Sequence, residues 1–307
     1  MNNRISILPI KEILNLAYFK RKIFIWILIF GLTPMLISYL NSFYNFRLES
    51  IAWILGAYFC LLWSINLFIL ISPGWKLWSK GILYTVFTVV IGVPILIIMQ
   101  QIGIVQFIYK NTESNIYIFR VIGFVFGVGL LEETCKLLPV LILGIRRNNI
   151  KSLVEAMYLG AMSGLGFALA EAVQYTIMYW QGGAIVSLSD AYGQIVNNKN
   201  SLNAIESYYG SLIVVQIVRF MTLPLFHAVW GGITAWFAVA TTRIDMNRRN
   251  TVIIGIFFAA VLHGFYDVYS GTVKGIVIAF VSLMIFMGYL MYSRKIENNV
   301  DYNLGRS

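Results

Sequence analysis

Eight long apolar runs restrict this 307-residue chain to one kind of fold. A bilayer core about 30 Å thick is crossed by roughly 20 apolar residues in a helix, because in lipid each backbone N–H and C=O must find its partner within the segment. The runs lie at about 23 to 41, 51 to 72, 81 to 100, 118 to 143, 153 to 179, 211 to 240, 251 to 269 and 274 to 292. The expected class is all-α, a polytopic membrane helix bundle with about eight transmembrane helices. Charged residues make up only 12% of the chain, so no soluble domain remains. Only the joint 181–210 is long, and its Gly, Ser, Asn and Asp content reads as an outer loop or short surface helices. The first run follows Lys20, Arg21 and Lys22 and lacks a small-residue cleavage site, which makes it a retained anchor rather than a signal peptide.

The basic residues orient the bundle, since cytoplasmic loops carry the Lys and Arg excess. With the N-terminus inside, sixteen of the 23 fall on inner segments, Lys80, Arg146, Arg147, Lys151, Arg248 and Arg294 among them; four, Arg47, Lys110, Lys199 and Lys274, fall on outer ones. Eight spans then leave both the N- and C-termini cytoplasmic, in a multi-pass protein of the plasma membrane. The net charge of +10 is mostly this orientation signal, with attraction to anionic lipid as a second effect; it does not indicate a nucleic-acid partner. Cys60 and Cys135 both fall in spans and form no CxxC, so buried, inert thiols are expected rather than a disulfide or thiolate metal site.

Ionisable residues inside the runs carry the functional signal, because lipid makes them expensive. The fourth run reads Gly123-x3-Gly127, then Glu132-Glu133-x2-Lys136. Lys136 is four residues from Glu132 and three from Glu133, so on a helix either carboxylate can pair with it. One cation cannot neutralise both. The surplus carboxylate, beside a like charge in a low-dielectric site, is placed to hold or take a proton. A buried ion pair that only locks helices together would not need the second glutamate. The fifth run carries Gly160-x3-Gly164, then Phe167-x3-Glu171 on one helix face. The sixth holds Arg219, Pro224 and His227, and the proline can kink the helix near the imidazole. The seventh has His263 and Asp267 four apart, a spacing that lets the carboxylate orient the ring or join it as a ligand.

This series, Glu132-Glu133-x2-Lys136, Phe167-x3-Glu171, Arg219 with His227 eight residues on, and His263-x3-Asp267, resembles the motif series of the PrsW family. Its members are bacterial intramembrane proteases classed as metalloproteases, whose name-giving role is first-site cleavage of a membrane-anchored anti-sigma factor. The resemblance implies a distant link to prenyl-protein CAAX endopeptidases and bacteriocin-processing relatives. It covers roughly residues 118 to 270. It thereby divides the chain into transmembrane helices 1 to 3 (1–117), a catalytic core of helices 4 to 7 (118–270, with the outer loop) and a last helix with its tail (271–307). One position departs: the family usually has Asn after the second-motif Glu, and here Ala172 stands there.

Peptide hydrolysis needs an activated water, stabilisation of an oxyanion and a proton donor for the leaving amine. Glu132 or Glu133 can act as base and then as acid. His227 and His263, with Glu171 or Asp267, can hold zinc or another divalent metal and leave a position open for water. Without metal, the histidines can bind the water and the oxyanion while a glutamate acts as base. Lys136, Phe167, Glu171, Arg219 and Asp267 are supporting residues in either reading. The implied partners are a membrane-anchored protein substrate and the lipid bilayer, with no soluble cofactor. The rival readings are a proton- or ion-coupled transporter, whose relays use the same residue types, and a non-catalytic immunity or scaffold member of the fold.

Overall fold

A computed structural model describes residues 10–13, 48–72, 74–195, 201–240 and 247–304, and all regular structure among them is helical. After a single turn at Ile10–Ile13 come α1, Leu48–Ile71, and α2, Trp75–Met99. A short helix α3, Gly103–Lys110, follows, and then α4, residues 117–145. The chain continues with α5, Leu153–Ile195; α6, Ser201–Ala240; α7, Arg248–Val268; and α8, Val273–Leu304.

Six stretches of the described helices are long and apolar enough to cross a membrane, and they make this a multi-pass membrane protein: Ala52–Ile71, Trp75–Met99, Leu153–Tyr175, Met221–Ala240, Arg249–Val268 and Val273–Asn298. The expected span at 23 to 41 lies outside the described residues. The expected fourth span is helical from end to end as α4, but Arg120, Glu132, Glu133 and Lys136 keep it too polar to qualify on composition. The joint at 181–210 differs from expectation. Its backbone prolongs α5 to Ile195 and resumes in α6 at Ser201, so two helices of 43 and 40 residues stand where the Gly, Ser, Asn and Asp content predicts a loop or short surface helices. At 1.5 Å per residue α5 is about 65 Å long, roughly twice the hydrocarbon thickness. A helix that runs past the lipid can carry polar residues without penalty, which is why composition misread it.

Three helical stretches widen to π geometry: Thr88–Gly92 in α2, and Gly123–Gly129 and Val140–Ile145 in α4. Pro94 follows the first and Pro139 precedes the third, each lacking the N–H that a regular α ladder requires. In α4 the two π stretches bracket the α-helical piece Leu130–Pro139 that carries the charged residues.

The described residues gather into two compact units. In the first, formed from 67–167 and 226–304, small residues allow close approach: a Cβ on Gly164 would strike the carbonyl of His227, and one on Gly129 would meet the backbone of Ala260. The Ser163 hydroxyl donates to the Lys136 carbonyl at 2.5 Å and pairs with the Thr88 hydroxyl at 2.6 Å, tying α2, α4 and α5 together. At one end of this unit Lys80 bonds Glu155 and the Asn149 carbonyl, Glu297 accepts from the N–H groups of Leu153 and Val154, and Arg294 donates to the carbonyls of Leu70 and Ile71. The second unit contains 48–66 and the described part of 168–225. Its core is Leu55, Phe59, Ala168, Ala172 and Leu223, and the Trp63 indole donates to the Met221 carbonyl at 2.8 Å. Cys60 and Cys135 are buried thiols outside any disulfide, as expected.

Candidate active site

On α4, the i,i+3 and i,i+4 pairings read from sequence both form. Lys136, fully buried, places Nζ 2.6 Å from Glu133 Oε1 and 3.4 Å from Glu132 Oε2. The ammonium also lies 4.7 Å from the Phe167 ring centroid and 5.8 Å from that of Trp230, so aromatic faces and carboxylates together replace its water.

The two glutamates stand in different surroundings. Glu133 is wholly buried; besides Lys136, its Oε1 meets His263 Nδ1 at 3.1 Å, and its Oε2 accepts from the Thr234 hydroxyl at 3.5 Å. An ion-paired carboxylate accepts and does not donate, so the His263 nitrogen facing Glu133, Nδ1, carries a proton, and Nε2 faces the other way. That Nε2 lies 3.7 Å from Glu132 Oε2 and 3.4 Å from Asp267 Oδ2. His227 Nδ1 lies 3.9 Å from the same Glu132 oxygen. Glu132 therefore faces both imidazoles, and its side chain keeps 10% exposure where that of Glu133 has none.

Each imidazole rests on an aromatic ring. Phe167 stacks on His227, with centroids 5.4 Å apart and planes 21° apart; Trp230 stacks on His263 at 4.2 Å and 17°. The two imidazoles meet edge to face at 5.3 Å.

Glu132, His227 and His263 can each offer one ligand atom, all within 4.8 Å of one another. Ligand atoms about 2.0–2.1 Å from a tetrahedral zinc stand about 3.4 Å apart. Contraction by a few tenths of an ångström brings the 3.7 and 3.9 Å pairs to that spacing, and the Glu133 bond to His263 Nδ1 is the outer-shell contact that ligating histidines usually make. Among the described residues Lys136 is the permanent cation facing Glu132 and Glu133, and a divalent ion beside the imidazoles would add positive charge to this carboxylate-rich cluster. The donor set fits a metal.

Of the residues singled out in the sequence, Glu132, Glu133, Lys136, Phe167, His227, His263 and Asp267 come together in the first unit. Glu171 belongs to the second unit, and the carboxylate facing the histidine pair within the first unit is Glu132. Arg219 lies on α6 with its side chain outside the described residues. Sequence reasoning missed Trp230 and Thr234. Their signal was positional: they follow His227 by three and seven residues and share its face of α6.

Residues 76–292 match the family described as PrsW family intramembrane metalloprotease. The chain belongs to that family. The match takes in more than half of the sequence and every residue of the cluster. Comparison with curated proteins and with solved structures gives no match. Membership of the PrsW family makes this an intramembrane peptidase, and the buried Glu132, His227 and His263 are where a PrsW metal would fit. Ala172, where PrsW sequences usually have Asn, packs in the apolar core of the second unit.

Proposed function

We propose that the chain hydrolyses a peptide bond in a membrane-anchored protein, an anti-sigma factor being the substrate type that the family suggests, with Glu132 as the base. One observation carries this reading: Glu132 Oε2, 3.4 Å from Lys136, also faces both imidazoles within 4 Å and keeps some exposure, whereas Glu133 is fully buried, with Lys136 at 2.6 Å and His263 and Thr234 on its oxygens. Glu132 takes a proton from the attacking water as its oxygen bonds to the carbonyl carbon. His263 Nε2 accepts a hydrogen bond from that water and so aims it. A ring N–H of His227 donates to the oxyanion. As the C–N bond breaks, Glu132 returns its proton to the leaving amine, the usual double duty of a carboxylate in hydrolysis. Glu133 and Lys136 touch no reacting atom: Glu133 fixes the His263 tautomer and Lys136 offsets the buried negative charge. A divalent metal, zinc foremost, would be held by His227 and His263 in place of the water and oxyanion contacts described for them, with Glu132 beside it as the base, and would supply Lewis-acid polarisation.

The topology belongs to the same reading: eight spans in a bacterial plasma membrane, both termini cytoplasmic, with the core at 118–270. The test is coexpression with tagged single-span proteins, comparing wild type, Glu132→Gln and Glu133→Gln. Glu132→Gln is expected to lose cleavage by about 10²- to 10⁴-fold with near-normal thermal stability, while Glu133→Gln unfolds at lower temperature. Full cleavage by Glu132→Gln overturns the assignment. For the metal, His227→Ala and His263→Ala should each abolish both hydrolysis and stoichiometric bound metal. Full wild-type activity after exhaustive chelation, with metal far below one equivalent, would remove that part.

A further inference from the structure

We propose that Trp230 is a positioning residue for His263, a role that rests on the catalytic reading of the histidine pair above. A hydrogen bond from His263 Nδ1 to Glu133 fixes one atom of the ring and leaves the plane free to swing about that point. A second contact, on the face, removes the swing. Trp230 supplies it, with its ring plane 17° from that of the imidazole and the centroids 4.2 Å apart. Only with the plane fixed does Nε2 keep its aim between Glu132 Oε2 at 3.7 Å and Asp267 Oδ2 at 3.4 Å.

The platform is itself held. Phe226 and Tyr266 flank the indole, with centroids 5.9 and 5.6 Å away, and the Lys136 ammonium stands 5.8 Å from its centre. Trp230 follows His227 by three residues, so one turn of α6 carries one imidazole and the support of the other, and the two rings move as a unit. Packing alone does not account for tryptophan here. Its indole N–H is buried without an acceptor among the described residues, which is destabilising, and a leucine or phenylalanine would avoid it. What tryptophan adds is the widest and most electron-rich ring face, suited to an imidazole on one side and a nearby ammonium.

The chain has two histidines, so ¹⁵N-imidazole spectra of the full-length protein in nanodiscs contain two sets of signals, assigned with the His227→Ala variant. Wild type should show His263 as a single tautomer protonated on Nδ1. In Trp230→Leu the Nδ1 proton should stay with Glu133 while the Nε2 signal shifts and broadens as the ring plane swings about that bond, and kcat should fall by about 10²-fold with KM little changed, the scale of a misaimed catalytic group. Trp230→Phe, which keeps a smaller face, should recover most of both. If Trp230→Leu does not fold, Trp230→Phe still decides, since a partial displacement of the His263 signal is expected. A His263 signal identical to wild type in the folded variants overturns the proposal, as does an equal loss of kcat in both variants with that signal unmoved. The spectrum needs no substrate, so a wild type that cleaves nothing would sink the protease reading while the His263 Nε2 signal still tests this one.

Discussion

Lys136 is the only permanent cation facing Glu132 and Glu133 among the described residues of the cluster, and it stands nearer to Glu133, 2.6 Å against 3.4 Å. Lys136→Met should therefore destabilise the protein by about 3 to 5 kcal/mol, the usual result of leaving a buried charge without its partner. Adding Glu133→Gln should restore more stability than adding Glu132→Gln, because it removes the carboxylate bonded more closely. Thermal unfolding of the single and double variants in one detergent measures this, and an unchanged Tm for Lys136→Met would mean that the ammonium is hydrated. At this scale the sequence was informative wherever an ionisable group interrupted an apolar run, which is why Glu132, Glu133, Lys136, His227 and His263 stood out. It could not say which glutamate faces the imidazoles, since that depends on how α4 and α7 pack, and Glu133 and His263 are 130 residues apart. Trp230 carried only the positional signal of standing one turn after His227, and an aromatic residue in an apolar run reads as core.

Among the elements, α4 was legible in its charges but not in its pitch. The apolar pattern sets where a span runs, whereas the π stretches around Leu130–Pro139 follow from glycines, a proline and neighbours such as Ser163, which takes up the Lys136 carbonyl. The start of α5 shows a second device hidden from local sequence. Ser152 caps the N–H of Glu155 locally, but the first N–H groups, at Leu153 and Val154, are taken by Glu297, which is distant in the chain. Glu297→Ala should cost about 1 kcal/mol, the typical value of a helix N-terminal carboxylate acceptor. A Tm equal to wild type at low ionic strength would show that water caps α5 equally well.

For the whole molecule, the all-helical membrane class followed from run length alone, while the extent of α5 and α6 beyond the hydrocarbon did not, because polar helix and polar loop have similar compositions. The proposed orientation puts the α3 to α4 connection outside and the Lys80, Asn149 and Glu155 cluster inside. Single cysteines placed at Glu113 and at Ser152 should then differ in intact cells, with Glu113→Cys labelled by a membrane-impermeant maleimide and Ser152→Cys protected until the cells are opened; native Cys60 and Cys135 are buried. The opposite pattern reverses the topology. The pairing of Lys136 with carboxylates on its own helix also bears on biogenesis. At about 5 to 20 residues per second, the ribosome needs roughly 6 to 26 s to make the 130 residues between Glu133 and His263. For that time α4 lacks His263, the partner of Glu133. Because its cation and carboxylates are three and four residues apart, the nascent helix pairs one carboxylate with Lys136 as it forms, which leaves a single surplus carboxylate until the rest of the site is made.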